Sequence, residues 1–156
     1  MSEIKIIGSA LPDMPWQYKP SDCMAPVWRY SENPIINRNP LPDVARIFNS
    51  AVAPYGDSYI GVFRGEQHNG VPHIYLGRSK EAIHWEFDHE KIPFTDENGE
   101  PFMPLYAYDP RLVKIDGVYY IMWCQDAFGP TIGMAKTTDF KIFTRLENPF
   151  LPYNRN

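Results

Sequence analysis

Leu112-Val113-Lys114-Ile115-Asp116-Gly117-Val118-Tyr119-Tyr120-Ile121-Met122-Trp123 reads as a β-hairpin. Two runs rich in β-branched and aromatic residues flank an Asp-Gly pair, which readily takes the left-handed φ values of a tight turn. An earlier stretch, Ser50-Ala51-Val52-Ala53-Pro54-Tyr55-Gly56-Asp57-Ser58-Tyr59-Ile60-Gly61-Val62-Phe63, has the same form with Gly-Asp at the turn. The correspondence continues: Ile74-Tyr75-Leu76-Gly77-Arg78-Ser79-Lys80-Glu81 answers Ile132-Gly133-Met134-Ala135-Lys136-Thr137-Thr138-Asp139. Each is followed by a short aromatic strand, Trp85-Glu86-Phe87 or Ile142-Phe143-Thr144. A four-stranded unit recurring every 60 residues or so is the mark of a propeller blade.

The composition agrees with this all-β reading. The 156 residues are 44% apolar and 15% aromatic, enough for one core, and the 16 prolines suit many short strands better than long helices. A net charge of −4 argues against a nucleic-acid partner, whose phosphates call for clustered Lys and Arg. No basic leader followed by a long apolar run opens the chain and no later stretch approaches a membrane span, so a cytoplasmic protein without a membrane partner is expected. Cys23 and Cys124 have neither metal nor redox spacing, and Cys124, in a strand after Trp123, reads as a small buried hydrophobe. His68, His73, His84 and His89 lack the spacing of a zinc protease, and no metal site is expected.

Residues 1–28, with Pro12, Pro15, Pro20 and Pro26 among Trp16, Tyr18 and Trp28, form a proline-stiffened arm. Residues 29–156 form the propeller portion: two blades and the start of a third, with crossings at Asn33-Pro34, Ile92-Pro93 and Asn148-Pro149. A closed propeller needs at least four blades. The chain is therefore expected either to continue beyond Asn156 or to associate with copies of itself, through a flank bearing Ile121, Met122, Trp123 and Ile132.

Blade hairpins bring their strand starts to the central channel. That gathers Asn49, Ser50 and Arg64 from the first unit, Tyr108, Asp109 and Arg111 from the second, and Arg155 from the third. Pro110 should push Asp109 into extended backbone and so aim its carboxylate. The alternative role for an aspartate at a strand start is to accept backbone hydrogen bonds, and Arg64 and Arg155 have an alternative in pairing with acids such as Glu66 or Asp126. Amides and hydroxyls suit sugar hydroxyls, an aromatic face suits a sugar ring, and arginine forks suit phosphate or carboxylate. A sugar with an anion is the guest such a set would hold. Loop residues Gln67, His68 and Asn69, and Asp126, Ala127 and Phe128, are candidates for contacts beyond that sugar.

Ile47-Phe48-Asn49-Ser50-Ala51-Val52, Val62-Phe63-Arg64, Tyr106-Ala107-Tyr108-Asp109-Pro110-Arg111, Gly129-Pro130-Thr131-Ile132-Gly133 and Pro152-Tyr153-Asn154-Arg155-Asn156 together resemble glycoside hydrolase family 130, and within it the mannooligosaccharide phosphorylases. The resemblance runs from about Trp28 to the end and corresponds to the N-terminal half of a family member. It implies a five-bladed propeller that cleaves β-mannosides with inorganic phosphate as co-substrate, needs no cofactor, and releases α-mannose 1-phosphate with inversion. Asp109 would be the catalytic acid, acting through the mannosyl 3-hydroxyl. Asn49, Ser50, Arg64 and Tyr108 would hold the mannosyl unit, and Arg155 would bind phosphate. The last blades and the remaining basic residues would follow Asn156, so the 156-residue chain alone is not expected to turn over. A β-mannosidase on the same fold and a non-catalytic carbohydrate-binding module are the competing readings.

Overall fold

The computed structural model describes residues 18–126 and 129–149. Within them the fold is all-β. The first sheet is a meander of β1 (Val44–Tyr55), β2 (Ser58–Gln67), β3 (Pro72–Ser79) and β4 (Glu86–Lys91), in that order. Two short strands follow, β5 (Phe94–Thr95) and β6 (Pro101–Phe102), and then a second meander of β7 (Tyr108–Ile115), β8 (Val118–Asp126), β9 (Pro130–Thr137) and β10 (Phe143–Leu146). The connection between the meanders is itself paired: β5 lies parallel to β10, so the second sheet runs β6-β5-β10-β9-β8-β7. No helix of the described residues is long and apolar enough to cross a membrane.

The turn residues foreseen in the sequence close both hairpins, Tyr55 pairing with Ser58 and Ile115 with Val118. At the second, Asp116 (φ 48°) and Gly117 (φ 84°) are both left-handed, as a type I′ turn requires. The repeat extends to side-chain chemistry. After β3, the Ser79 hydroxyl accepts the N–H groups of Glu81 and Ala82, and after β9 the Thr137 hydroxyl accepts those of Asp139 and Phe140. In both places the last residue named is left-handed, Ala82 at φ 65° and Phe140 at φ 55°.

Strand alternation sorts the core. Ile60 and Val62 of β2 with Ile74 and Leu76 of β3 face the second sheet, where Tyr119, Ile121 and Trp123 of β8 are buried with Phe94, Phe140 and Phe143. Trp123 stacks on Phe94 at 4.4 Å between centroids, and the Tyr119 hydroxyl donates to the Pro54 carbonyl at 3.1 Å. Gly133 admits the indole, since a Cβ there would overlap the ring of Trp123. On the far face of the first sheet, Phe63 meets Trp85 and Phe87 edge-on.

Burial corrects two expectations. Ile121, Trp123 and Ile132 are not an open flank: they are buried, and Met122 is half-buried. Exposed apolar side chains lie elsewhere, at Tyr18, Met24, Val27, Leu105 and Ile142 among others. Cys124 is half-buried rather than buried, because it lies on the face of β8 opposite Trp123 and Gln125.

Candidate active site

The two sheets meet where β7 lies against β1, β2 and β3. Near that seam each meander's first strand carries a bulge. In β1 the pairing passes from Ile47–Gly65 to Ser50–Phe63, which sets Phe48 and Asn49 against Arg64 alone. In β7 it passes from Tyr108–Cys124 to Arg111–Met122, which sets Asp109 and Pro110 against Trp123. A bulge bends its strand and re-aims side chains, and bulges collect beside functional sites.

Phe48-Asn49 and Tyr108-Asp109 occupy equivalent places in the two repeats, and they converge. The Asn49 amide donates to Asp109 Oδ1 at 2.7 Å, across 60 residues of chain. Arg64 Nη1 donates to the same oxygen at 3.2 Å, and Nη2 reaches Glu66 Oε2 at 3.3 Å. The guanidinium lies over two rings, with its Cζ 5.1 Å from the Phe48 centroid and 5.3 Å from that of Tyr108. Tyr108 is backed by Tyr106 at 5.8 Å. The Asp109 side chain keeps 31% of its surface exposed and those of Arg64 and Glu66 24% each, so the cluster is open to a ligand. Both hydrogen bonds that Asp109 accepts from described side chains fall on Oδ1, which leaves Oδ2 for another partner. Arg64 Nε is buried without a hydrogen-bond partner among the described residues.

Of the residues singled out in the sequence, Asn49, Arg64, Tyr108 and Asp109 come together. Asp109 arrives by a different route from the one expected: its φ is 51°, left-handed and not extended. Aspartate is among the few residues that adopt that conformation readily, and the bulge requires it despite the following proline. Ser50 is not brought to the carboxylate. Neighbours along a strand point to opposite faces, so Ser50 lines a groove of about 510 Å³ on the far face of the first sheet with Val52, Phe63 and Trp85, and its hydroxyl bonds the Phe48 carbonyl. Arg111 turns back on its own bulge, Nη1 donating to the carbonyls of Asp109 and Pro110 at 3.3 and 3.0 Å. It braces the backbone of the acid instead of facing its carboxylate.

Gln67 and Asn69 serve local structure, Gln67 donating to the Tyr75 hydroxyl and Asn69 accepting from the N–H of Val71. Asp126 does likewise, accepting from the N–H of Gly129. Arg155, Ala127 and Phe128 lie outside the described residues. Phe48 was missed as a site residue. The signal for it was present in the repeat, which aligns Phe48 with Tyr108 just as it aligns Asn49 with Asp109.

The family model described as beta-1,4-mannooligosaccharide phosphorylase matches residues 10–156. The chain belongs to glycoside hydrolase family 130. A beta-1,4-mannooligosaccharide phosphorylase of Ruminococcus albus is 44% identical over 159 aligned positions, covering 97% of this chain and 47% of that protein. The chain thus spans about half the length of this family 130 relative. Among solved structures, beta-1,2-mannobiose phosphorylase from Listeria innocua superposes with a TM-score of 0.65 at 17% identity, over 82% of this chain and 52% of that one. A glycoside hydrolase from Parabacteroides distasonis gives 0.61 at 24% identity, over 79% and 42%. At these identities the structures speak for the fold, which is shared with this family 130 chain.

Proposed function

We propose that the full-length protein containing this chain is an inverting phosphorylase of β-1,4-linked mannooligosaccharides, releasing α-mannose 1-phosphate. The observation that carries the reading is the Asp109 carboxylate, held on Oδ1 by Asn49 and Arg64 within a chain of family 130. With Oδ1 engaged, Oδ2 carries the transferable proton. That proton passes to the glycosidic oxygen by way of the mannosyl 3-hydroxyl as the C–O bond breaks. Phosphate attacks the anomeric carbon from the opposite face, and the leaving sugar departs as an alcohol. Asn49 and Tyr108 border the mannosyl unit, the latter offering an aromatic face to the ring.

An inverting hydrolase needs a second carboxylate to activate water, whereas phosphate is already an anionic nucleophile and needs cations to hold it. Glu66, the other carboxylate of the cluster, is tied to Arg64. That favours phosphorolysis over a β-mannosidase and gives a non-catalytic module no account of the aimed acid. Arg155 is assigned to phosphate, together with basic residues elsewhere in the full-length protein. The two meanders are taken as neighbouring blades of a five-bladed propeller, an arrangement supported by their 60-residue repeat and by the convergence of their bulges at one seam.

The test is incubation of the full-length protein with a β-1,4-mannooligosaccharide, with and without phosphate. Mannose 1-phosphate should form only with phosphate, and Asp109→Asn should lower its formation by at least about a hundredfold, the scale of a lost general acid. Release of free mannose at the same rate without phosphate would replace the phosphorylase by a hydrolase.

A further inference from the structure

We propose that Glu66 is a positioning residue, which acts through Arg64 to keep one oxygen of Asp109 available for the proton. The proposal rests on the reading of Asp109 as the acid. Arg64 and Glu66 are two residues apart on β2 and therefore share the face turned to Asp109. A guanidinium left alone with a carboxylate prefers the two-point fork, in which both nitrogens engage both oxygens. Arg64 does not fork here. Nη1 meets Asp109 Oδ1, and Nη2 is committed to Glu66 Oε2.

The aromatic contacts do not set this arrangement by themselves. Phe48 and Tyr108 lie against the guanidinium, with Cζ 5.1 and 5.3 Å from their ring centroids, but such contacts do not choose which oxygen each nitrogen meets. The group is rigid, so holding Nη2 aims Nη1 as well. Glu66 is the contact that holds Nη2. With Glu66 removed, Arg64 turns and closes on both oxygens of Asp109, which places the cation on the oxygen that should carry the proton. Asn49 does not prevent this, because its amide occupies Oδ1.

The experiment compares Glu66→Ala and Glu66→Gln in the full-length protein. Steady-state phosphorolysis of a β-1,4-mannooligosaccharide is measured alongside crystal structures of both variants. Glu66→Ala should lower kcat by about tenfold or more with KM within about twofold, because the defect lies in proton transfer rather than in sugar binding. Glu66→Gln keeps a carbonyl oxygen for Nη2 and should stay within about threefold of wild type. In the Glu66→Ala crystal both nitrogens of Arg64 should lie on both oxygens of Asp109. Unchanged kcat in Glu66→Ala, an equal loss in both variants, or an Arg64 that still meets Oδ1 alone would each overturn the proposal. If wild type shows no phosphorolysis, the functional reading fails on its own, and the crystal comparison still decides whether Glu66 holds Arg64 out of the fork.

Discussion

His73 gives the protein a pH-dependent weakness that can be measured apart from catalysis. It lies in β3 with 5% of its surface exposed and its Nε2 3.4 Å from Lys91 Nζ, while Nδ1 has no partner among the described residues. Burial, and secondarily the Lys91 charge, lower its pKa from 6.5 to about 4. Neutral, Nε2 can accept a hydrogen bond from the ammonium of Lys91; protonated, it would face a like charge. Between those two pH values the unfolded chain binds a proton that the folded chain refuses. His73 therefore costs nothing above pH 6.5, and stability drains away as the pH falls toward 4. At about pH 5 the linkage amounts to about 2 kcal/mol, or roughly 4–8 °C in Tm for a domain of this size. Urea unfolding of wild type and His73→Leu at about pH 7 and pH 5 isolates the effect, because the other titrating groups cancel in the difference. Wild type should lose about 2 kcal/mol more than the variant over that interval. Parallel losses in the two proteins would show that the histidine does not remain neutral in the fold, and the argument from its burial would fall.

Gly133→Ala drives a methyl group into the indole of Trp123 and should cost about 1–3 kcal/mol in urea unfolding, with Gly70→Ala, where space is open but φ is 82°, as the purely backbone control. Ser79→Ala and Thr137→Ala should each cost about 1 kcal/mol, by stranding the two N–H groups that each hydroxyl accepts; near-additivity in the double variant would mark the turns as independent copies. Asn49→Ala should lower kcat of the full-length protein by about tenfold, with Tm changed by no more than about 2 °C, since its bond to Asp109 is exposed. A Tm loss without a kcat loss would make Asn49 a structural bridge between the sheets.

Much of this molecule is local and therefore legible from residue order. Alternation and turn residues specify the hairpins at Gly56-Asp57 and Asp116-Gly117, and the repeat pairs Asn49 with Asp109. Strand parity also separates Ile60 and Val62 from Tyr59 and Phe63, because side chains alternate with a period of two. Tertiary structure decided what parity cannot express. Each bulge inserts an unpaired residue, which turns Asp109 left-handed, bends Arg111 back onto its own carbonyls and leaves Asn49 at the seam while Ser50 stays on the other face. Burial of Ile121 and Trp123 was likewise invisible in the strands themselves, because β5 and the first sheet, which help enclose that core, come from earlier in the chain. Arg64 draws its two carboxylates and two rings from β1, β2 and β7, strands whose meeting depends on the packing of one sheet against the other.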